Sequence, residues 1–168
     1  NKASNQGYSN SCIILASMYK FGNGVNKDLK KSIELLEKAR LQNNKCADYL
    51  LGTLYLNGEG VNKDIDKALE LIIHSAEGHC VLAQLYLGKF YFQKNDYINS
   101  FKWYINASLL GNVIAYKNLA YMYYHGYVCN INTNSLFGKT SLKEEEFSIR
   151  INKGFIRYII NAAENNDV

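Results

Sequence analysis

No apolar run in this sequence approaches the roughly 18 residues needed to span a bilayer, and no block of about five or six like charges occurs. The first absence excludes a helix that crosses a membrane. The second removes the basic arm by which many chains grip nucleic acid, since the 19 Lys and Arg residues are scattered against 15 Asp and Glu for a net charge of +4. Proline is missing altogether while Asn, Lys, Ile and Tyr are abundant, a bias that reads first as an AT-rich genome and excludes no mechanism. No signal peptide is visible at the N-terminus, but the chain starts at Asn1 and not at Met, which reads as a processed or trimmed protein. What is present, 48% hydrophobic and 20% charged residues, is the balance of a chain that buries a core and is not disordered.

Signatures of catalysis are missing too. There is no Gly-x-Ser-x-Gly elbow and no cysteine-nucleophile motif. Glu144, Glu145 and Glu146 are consecutive, so they fan around a helix start and cannot converge as an acid–base pair; the helix dipole accounts for them. His74, His79, Cys80, His125 and Cys129 are ligand types without the paired CxxC or HxxxH spacing of a zinc set. No catalytic residue, metal or cofactor is therefore assigned, and the chain reads as a non-enzyme. Cys12, Cys46, Cys80 and Cys129 suffice in number for two disulfides, but they do not occupy equivalent positions of the repeat described next. Buried free thiols are the expectation and pairing is the alternative.

The chain repeats itself. Tyr19, Gly22, Gly24, Val25, Asn26, Lys27 and Asp28 recur 36 residues later as Tyr55, Gly58, Gly60, Val61, Asn62, Lys63 and Asp64, and a period of that size signals a stacked array of helix pairs. Helices are expected from about Ser9 to Lys20, Leu29 to Leu41, Cys46 to Leu56 and Ile65 to Glu77, after a frayed lead-in of residues 1 to 7. The glycine pairs stop the first helix of each pair. Asp28 caps the second. These glycine turns follow a helix and lack the Lys-Ser/Thr of a phosphate loop, so they are turns and not nucleotide sites. Small residues recur in register at Ser11, Ala47, Ala83 and Ala115; at Ala16, Gly52, Gly88 and Ala120; at Ser32, Ala68 and Ser100; and at Ala39, Ser75, Ala107 and Ala162. A large side chain at any of them would hold two helix axes apart.

In the second repeat, Ala47, Leu51, Gly52, Tyr55, Gly58, Gly60, Val61, Asp64, Lys67, Ala68, Ala76 and Glu77 follow a pattern that resembles the Sel-one-like repeat (SLR) family, relatives of the tetratricopeptide repeats. The resemblance implies an all-α, right-handed α-α solenoid of about four helix pairs. The whole of residues 1–168 is then one repeat domain, with units at about 9–43, 44–79, 80–111 and 112–166. The third unit lacks the Gly-x-Gly-Val loop, so that Ala83 and Ala115 stand 32 residues apart, and it keeps the family's aromatic pair as Trp103-Tyr104. The fourth carries an insertion at about 127–146. Ser141 and Glu144 have the spacing of a capping box there, and a long helix is expected from Leu142 to about Glu164.

The family's role is adaptor or scaffold, which implies a protein or peptide partner. Stacked helix pairs curve so that their first helices line a concave face. Carrying over the tetratricopeptide-like register, that face would expose Ile13, Ser17 and Lys20, then Tyr49, Thr53 and Asn57, then Leu85, Lys89 and Gln93, then Lys117, Tyr121 and Tyr124. The candidate partner-binding residues are Tyr49, Thr53, Lys89, Lys117, Tyr121 and Tyr124, a tyrosine and lysine set that suits an acidic peptide or a terminal carboxylate. Tyr121, Tyr123 and Tyr124 serve equally well as inter-helix packing. Two other roles stay open: a bacterial envelope factor that binds peptidoglycan or another glycan and acts on a β-lactam-like substrate, and an immunity or inhibitor protein that plugs a specific toxin. The family resemblance leans toward a periplasmic or secreted setting.

Overall fold

In the computed structural model, which describes residues 2–127 apart from the side chains of residues 2–6, 123 and 124, those residues are helix and turn throughout. Among the described residues the order is α1 (Lys2–Phe21), α2 (Leu29–Leu41), α3 (Lys45–Asn57), α4 (Ile65–Glu77), α5 (Val81–Gln93), α6 (Tyr97–Leu109) and α7 (Val113–Tyr124). Of the four helices given bounds above, α2, α3 and α4 start and stop within one residue of the expected positions. The exception is α1, which begins at Lys2 and takes in the stretch expected as lead-in. Nothing there breaks a helix: proline is absent, Gly7 weakens it by only about 1 kcal/mol, and the Ser11 hydroxyl donates back to the Gly7 carbonyl at 2.9 Å. The inserted segment, the long helix from Leu142, Ala162 and Cys129 lie outside the described residues, apart from Tyr127 at the insertion's edge.

Capping explains the second helices. The carboxylates of Asp28, Asp64 and Asp96 accept from the backbone N–H of Lys31, Lys67 and Asn99 at 3.0, 3.0 and 3.1 Å. Gly22, Gly24, Gly58 and Gly60 all adopt positive φ, the conformation glycine tolerates without a Cβ penalty. Between helix pairs the turn again needs a left-handed residue, supplied by Asn43, His79 and Gly111. His79 is thus a backbone element of a turn.

The chain divides into two compact units, residues 1–83 and 84–168. The core of the first is built from Ala16, Leu36, Leu51, Leu54 and Leu71, with Ile13, Ile33 and Tyr55 packed against it. Where the small residues recur, backbones approach closely. A Cβ on Gly52 would stand 2.7 Å from Cγ1 of Ile72 and 3.0 Å from the Ala68 carbonyl, while the Ser32 hydroxyl donates to the Ala16 carbonyl at 2.8 Å. The loop of the second repeat also docks on the first. A Cβ on Gly60 would lie 2.9 Å from that of Leu29, and Glu59 next to it pairs with Lys20 at 3.3 Å. A donated hydrogen bond from the Asn57 amide, then the Lys20 contact, holds the Glu59 carboxyl below its ordinary range.

The second unit packs Phe101, Tyr104, Ile105, Leu119 and Met122 together. Its close approach repeats that of the first, for the Ser100 hydroxyl donates to the Gly88 carbonyl at 2.8 Å and a Cβ on Gly88 would meet the Tyr104 ring. Two register positions depart from the pattern. Ala47, Ala83 and Ala115 are fully buried where Ser11 is exposed, and Leu15 is exposed where Leu51, Leu87 and Leu119 are buried. Helix α1 is the first in the described array, and no earlier second helix packs on that face among the described residues.

Candidate functional site

Of the six residues expected to meet a partner, Tyr49 and Thr53 lie on α3 in the first unit, one turn apart and half-buried. The Thr53 hydroxyl donates to the Leu50 carbonyl at 2.7 Å, so its proton is already engaged. In the second unit, Lys89 stands on α5 and Lys117 on α7, both exposed and without an ion pair among the described residues. Tyr121, one turn beyond Lys117, is 49% exposed, yet its ring also packs 4.2 Å from the imidazole of His125 and 6.1 Å from Phe92. Phe92, Tyr97 and Tyr127 complete that ring cluster. Tyr121 therefore combines packing with an open edge. Tyr124 ends α7 and its side chain lies outside the described residues.

Three other positions expected on the open face are occupied internally. Ile13 packs against the first core and Leu85 against the second. Lys20 is mostly buried and paired with Glu59. Each is held by side chains of other helices, contacts that a wheel of one helix does not contain.

The structure also assembles a polar network that sequence reasoning missed. Asp48 is 2% exposed, and its Oδ2 sits 2.6 Å from His74 Nδ1 while Oδ1 sits 2.9 Å from Arg40 Nε. The last contact is close but off the N–H direction, so Oδ1 has no aligned donor. Lys45 Nζ lies 3.2 Å from His74 Nε2. An ammonium only donates, so the imidazole tautomer with its proton on Nδ1 meets both neighbours at once. Helix ends place these groups. His74 stands in the last turn of α4, while Arg40 in the last turn of α2 and Asp48 in the first turn of α3 are each at the end whose dipole favours its charge. Beside them Cys46 and Cys80 form a disulfide with Cα atoms 5.3 Å apart, and the Ser75 hydroxyl donates to the Lys45 carbonyl at 2.7 Å.

The expectation of free buried thiols thus holds at Cys12 and fails at Cys46 and Cys80. Their separation of 34 residues, near one repeat, brings them together because the turn before α5 returns to the start of α3. The network had one sequence signal: Asp48 shares its register with Cys12 and Gln84, and all three are buried. A carboxylate there requires partners. Among the described residues no group of His, Cys, Asp and Glu is arranged to hold a metal ion, and no helix is long and apolar enough to cross a membrane.

A family model described as Sel1 repeat matches residues 9–44, 47–80, 76–112 and 113–132. Among solved structures, a protective antigen of uropathogenic Escherichia coli strains displaying an SLR fold is 31% identical at a TM-score of 0.60, over 74% of this chain and 27% of that one. A Sel1 repeat protein from Oxalobacter formigenes is 24% identical at a TM-score of 0.65, over 97% of this chain and 61% of that one. The chain thus spans a minor part of the first and about three fifths of the second. No curated protein matches it.

Proposed function

The chain belongs to the Sel1 repeat family, typically interaction scaffolds built as α-α solenoids, and from that premise we propose that it is a non-catalytic module holding a protein or peptide partner on its first helices. The observation that carries this reading is the state of its lysines. Among the described lysine side chains of the first helices, Lys20 is bound to Glu59 and Lys45 lies against His74, whereas Lys89 and Lys117 stand exposed with no ion pair among the described residues. Two unengaged cations on first helices, with the open edge of Tyr121 a turn from Lys117, favour an acidic segment or a terminal carboxylate. In the first unit the corresponding candidates are Tyr49 and Thr53 on α3.

The test is capture of partners from native cells by the wild-type chain and by a Lys89→Glu/Lys117→Glu variant, with circular dichroism to verify the fold. Charge reversal at both positions is expected to weaken the partner by about ten-fold or more and to flatten its salt dependence. Undiminished binding by a folded variant places the partner elsewhere.

The Cys46–Cys80 disulfide favours a second reading of the setting, since disulfides persist in oxidising compartments. A periplasmic or secreted scaffold, including the envelope or peptidoglycan role, is consistent with it. Fractionation of native cells distinguishes this from a cytoplasmic adaptor.

A further inference from the structure

On the side of the first unit formed by second helices, a cavity of about 450 Å³ opens between the end of α2 and one face of α4. Arg40 forms one wall, and Glu70, Ile73, His74 and Glu77 recur along α4 at the spacing that puts side chains on a single helix face, with Leu71 completing the apolar lining.

The charges around it do not balance. Arg40 is engaged by Glu37 at 3.6 Å and by Asp48, and Lys45 lies against His74, whose Nδ1–H is turned to Asp48. Every cation in or beside the cavity therefore has an internal partner. Glu70 and Glu77, in contrast, are exposed and form no ion pair among the described residues. The lining sets Arg40 against Glu70 and Glu77, and around it Lys45 and Lys67 stand against Glu37 and Asp48. The local sign is negative on a chain whose net charge is +4.

We propose that this cavity receives the lysine or arginine side chain of a partner protein, the aliphatic stem lying along Leu71 and Ile73 and the cationic head held between Glu70 and Glu77. Charge complementarity selects the cation. The apolar lining suits the methylene stem that these side chains bury while their heads stay polar. Asp48 fixes the wall, since it holds both Arg40 and His74 in place. This surface differs in location and in sign from the lysine-bearing helices of the second unit.

The probe is an acetylated, amidated tetra-arginine peptide titrated into the protein at about 0.15 M salt and followed by amide chemical shifts, with tetra-glutamate as the control. Shifts are expected at Glu70, Ile73, His74 and Glu77. The Glu70→Gln/Glu77→Gln variant is expected to bind about ten-fold more weakly, as the loss of two exposed charge pairs implies. A Lys89→Ala/Lys117→Ala variant is expected to bind the probe as the wild type does, which keeps this result separate from that of the second-unit lysines. Equal affinity of the glutamine variant, shifts centred on other residues, or equal binding of tetra-glutamate would overturn the proposal.

Discussion

The backbone N–H of Asp96 donates to the carbonyl of Tyr91 at 2.9 Å, the same bond that Asp64 makes to Tyr55 and Asp28 to Tyr19. In the first two repeats the partners are nine residues apart in sequence, and in the third only five. The third repeat lost its glycine loop without losing the anchor that sets the start of the next helix. Its left-handed residue is now Asn95. Asp96→Ala removes the acceptor of the Asn99 N–H and is expected to cost about 1 kcal/mol, a Tm decrease of about 2 to 4 °C. Asp96→Asn retains the acceptor and should lose much less on the same melting curve.

Gly88 lies beneath a ring. A methyl group there would stand 2.6 Å from Cε1 of Tyr104, and the ring, 4% exposed, is hemmed in by the core of the second unit. Gly88→Ala is expected to destabilise by about 1 to 3 kcal/mol in urea unfolding. Gly7→Ala provides the contrast: a methyl there meets nothing within 4 Å, so the higher helix propensity of alanine should add up to about 1 kcal/mol.

Asp48 is the buried partner of two more exposed groups. Asp48→Ala leaves Arg40 and His74 without their carboxylate and opens a void at a position that is 2% exposed. The expected loss is about 1 to 3 kcal/mol, because the Arg40 and His74 groups left behind are half-exposed and return to water. His74→Ala leaves the buried carboxylate without its one aligned donor and should cost at least as much, which denaturant midpoints of the two variants would show.

Reduction of the Cys46–Cys80 disulfide releases a loop that spans 34 residues of sequence. Chain entropy predicts a loss of about 3 to 4 kcal/mol, and Cys46→Ser should reproduce it. Thiol titration of the denatured, unreduced protein should find fewer than the four cysteines of the sequence.

Burial pushes the Tyr104 hydroxyl up to about 12 from an ordinary 10.0. Between those values the unfolded chain releases this proton and the folded chain keeps it. Fewer protons are bound in the unfolded state there, so stability is complete below about pH 10, falls as pH rises through the window, and levels off near pH 12. Urea midpoints at pH 9 and pH 11 should differ, and by less in Tyr104→Phe.

Much of this was legible in the order of residues. The glycine pairs, the aspartate caps and the in-register small residues each report a local event, a left-handed turn, a capped helix start or a close approach of helices, whose cause lies within a few positions. The candidate site was legible only in part. Lys89 and Lys117 are exposed as their register implies, but Lys20, on the corresponding face of α1, is taken by Glu59 of the next repeat. Ile13 and Leu85 likewise vanish into cores whose other walls come from different helices.

By itself the sequence determined the repeat and hence the family, because stacking needs the same small residue at the same place in every unit. Only the tertiary structure decided that Cys46 meets Cys80 and that Arg40, Asp48, His74 and Lys45 join across the ends of α2, α3 and α4. These contacts arise where one repeat turns into the next. Their partners lie up to a repeat apart, and the pattern that builds a helix pair places no constraint on which polar side chains the junction brings together.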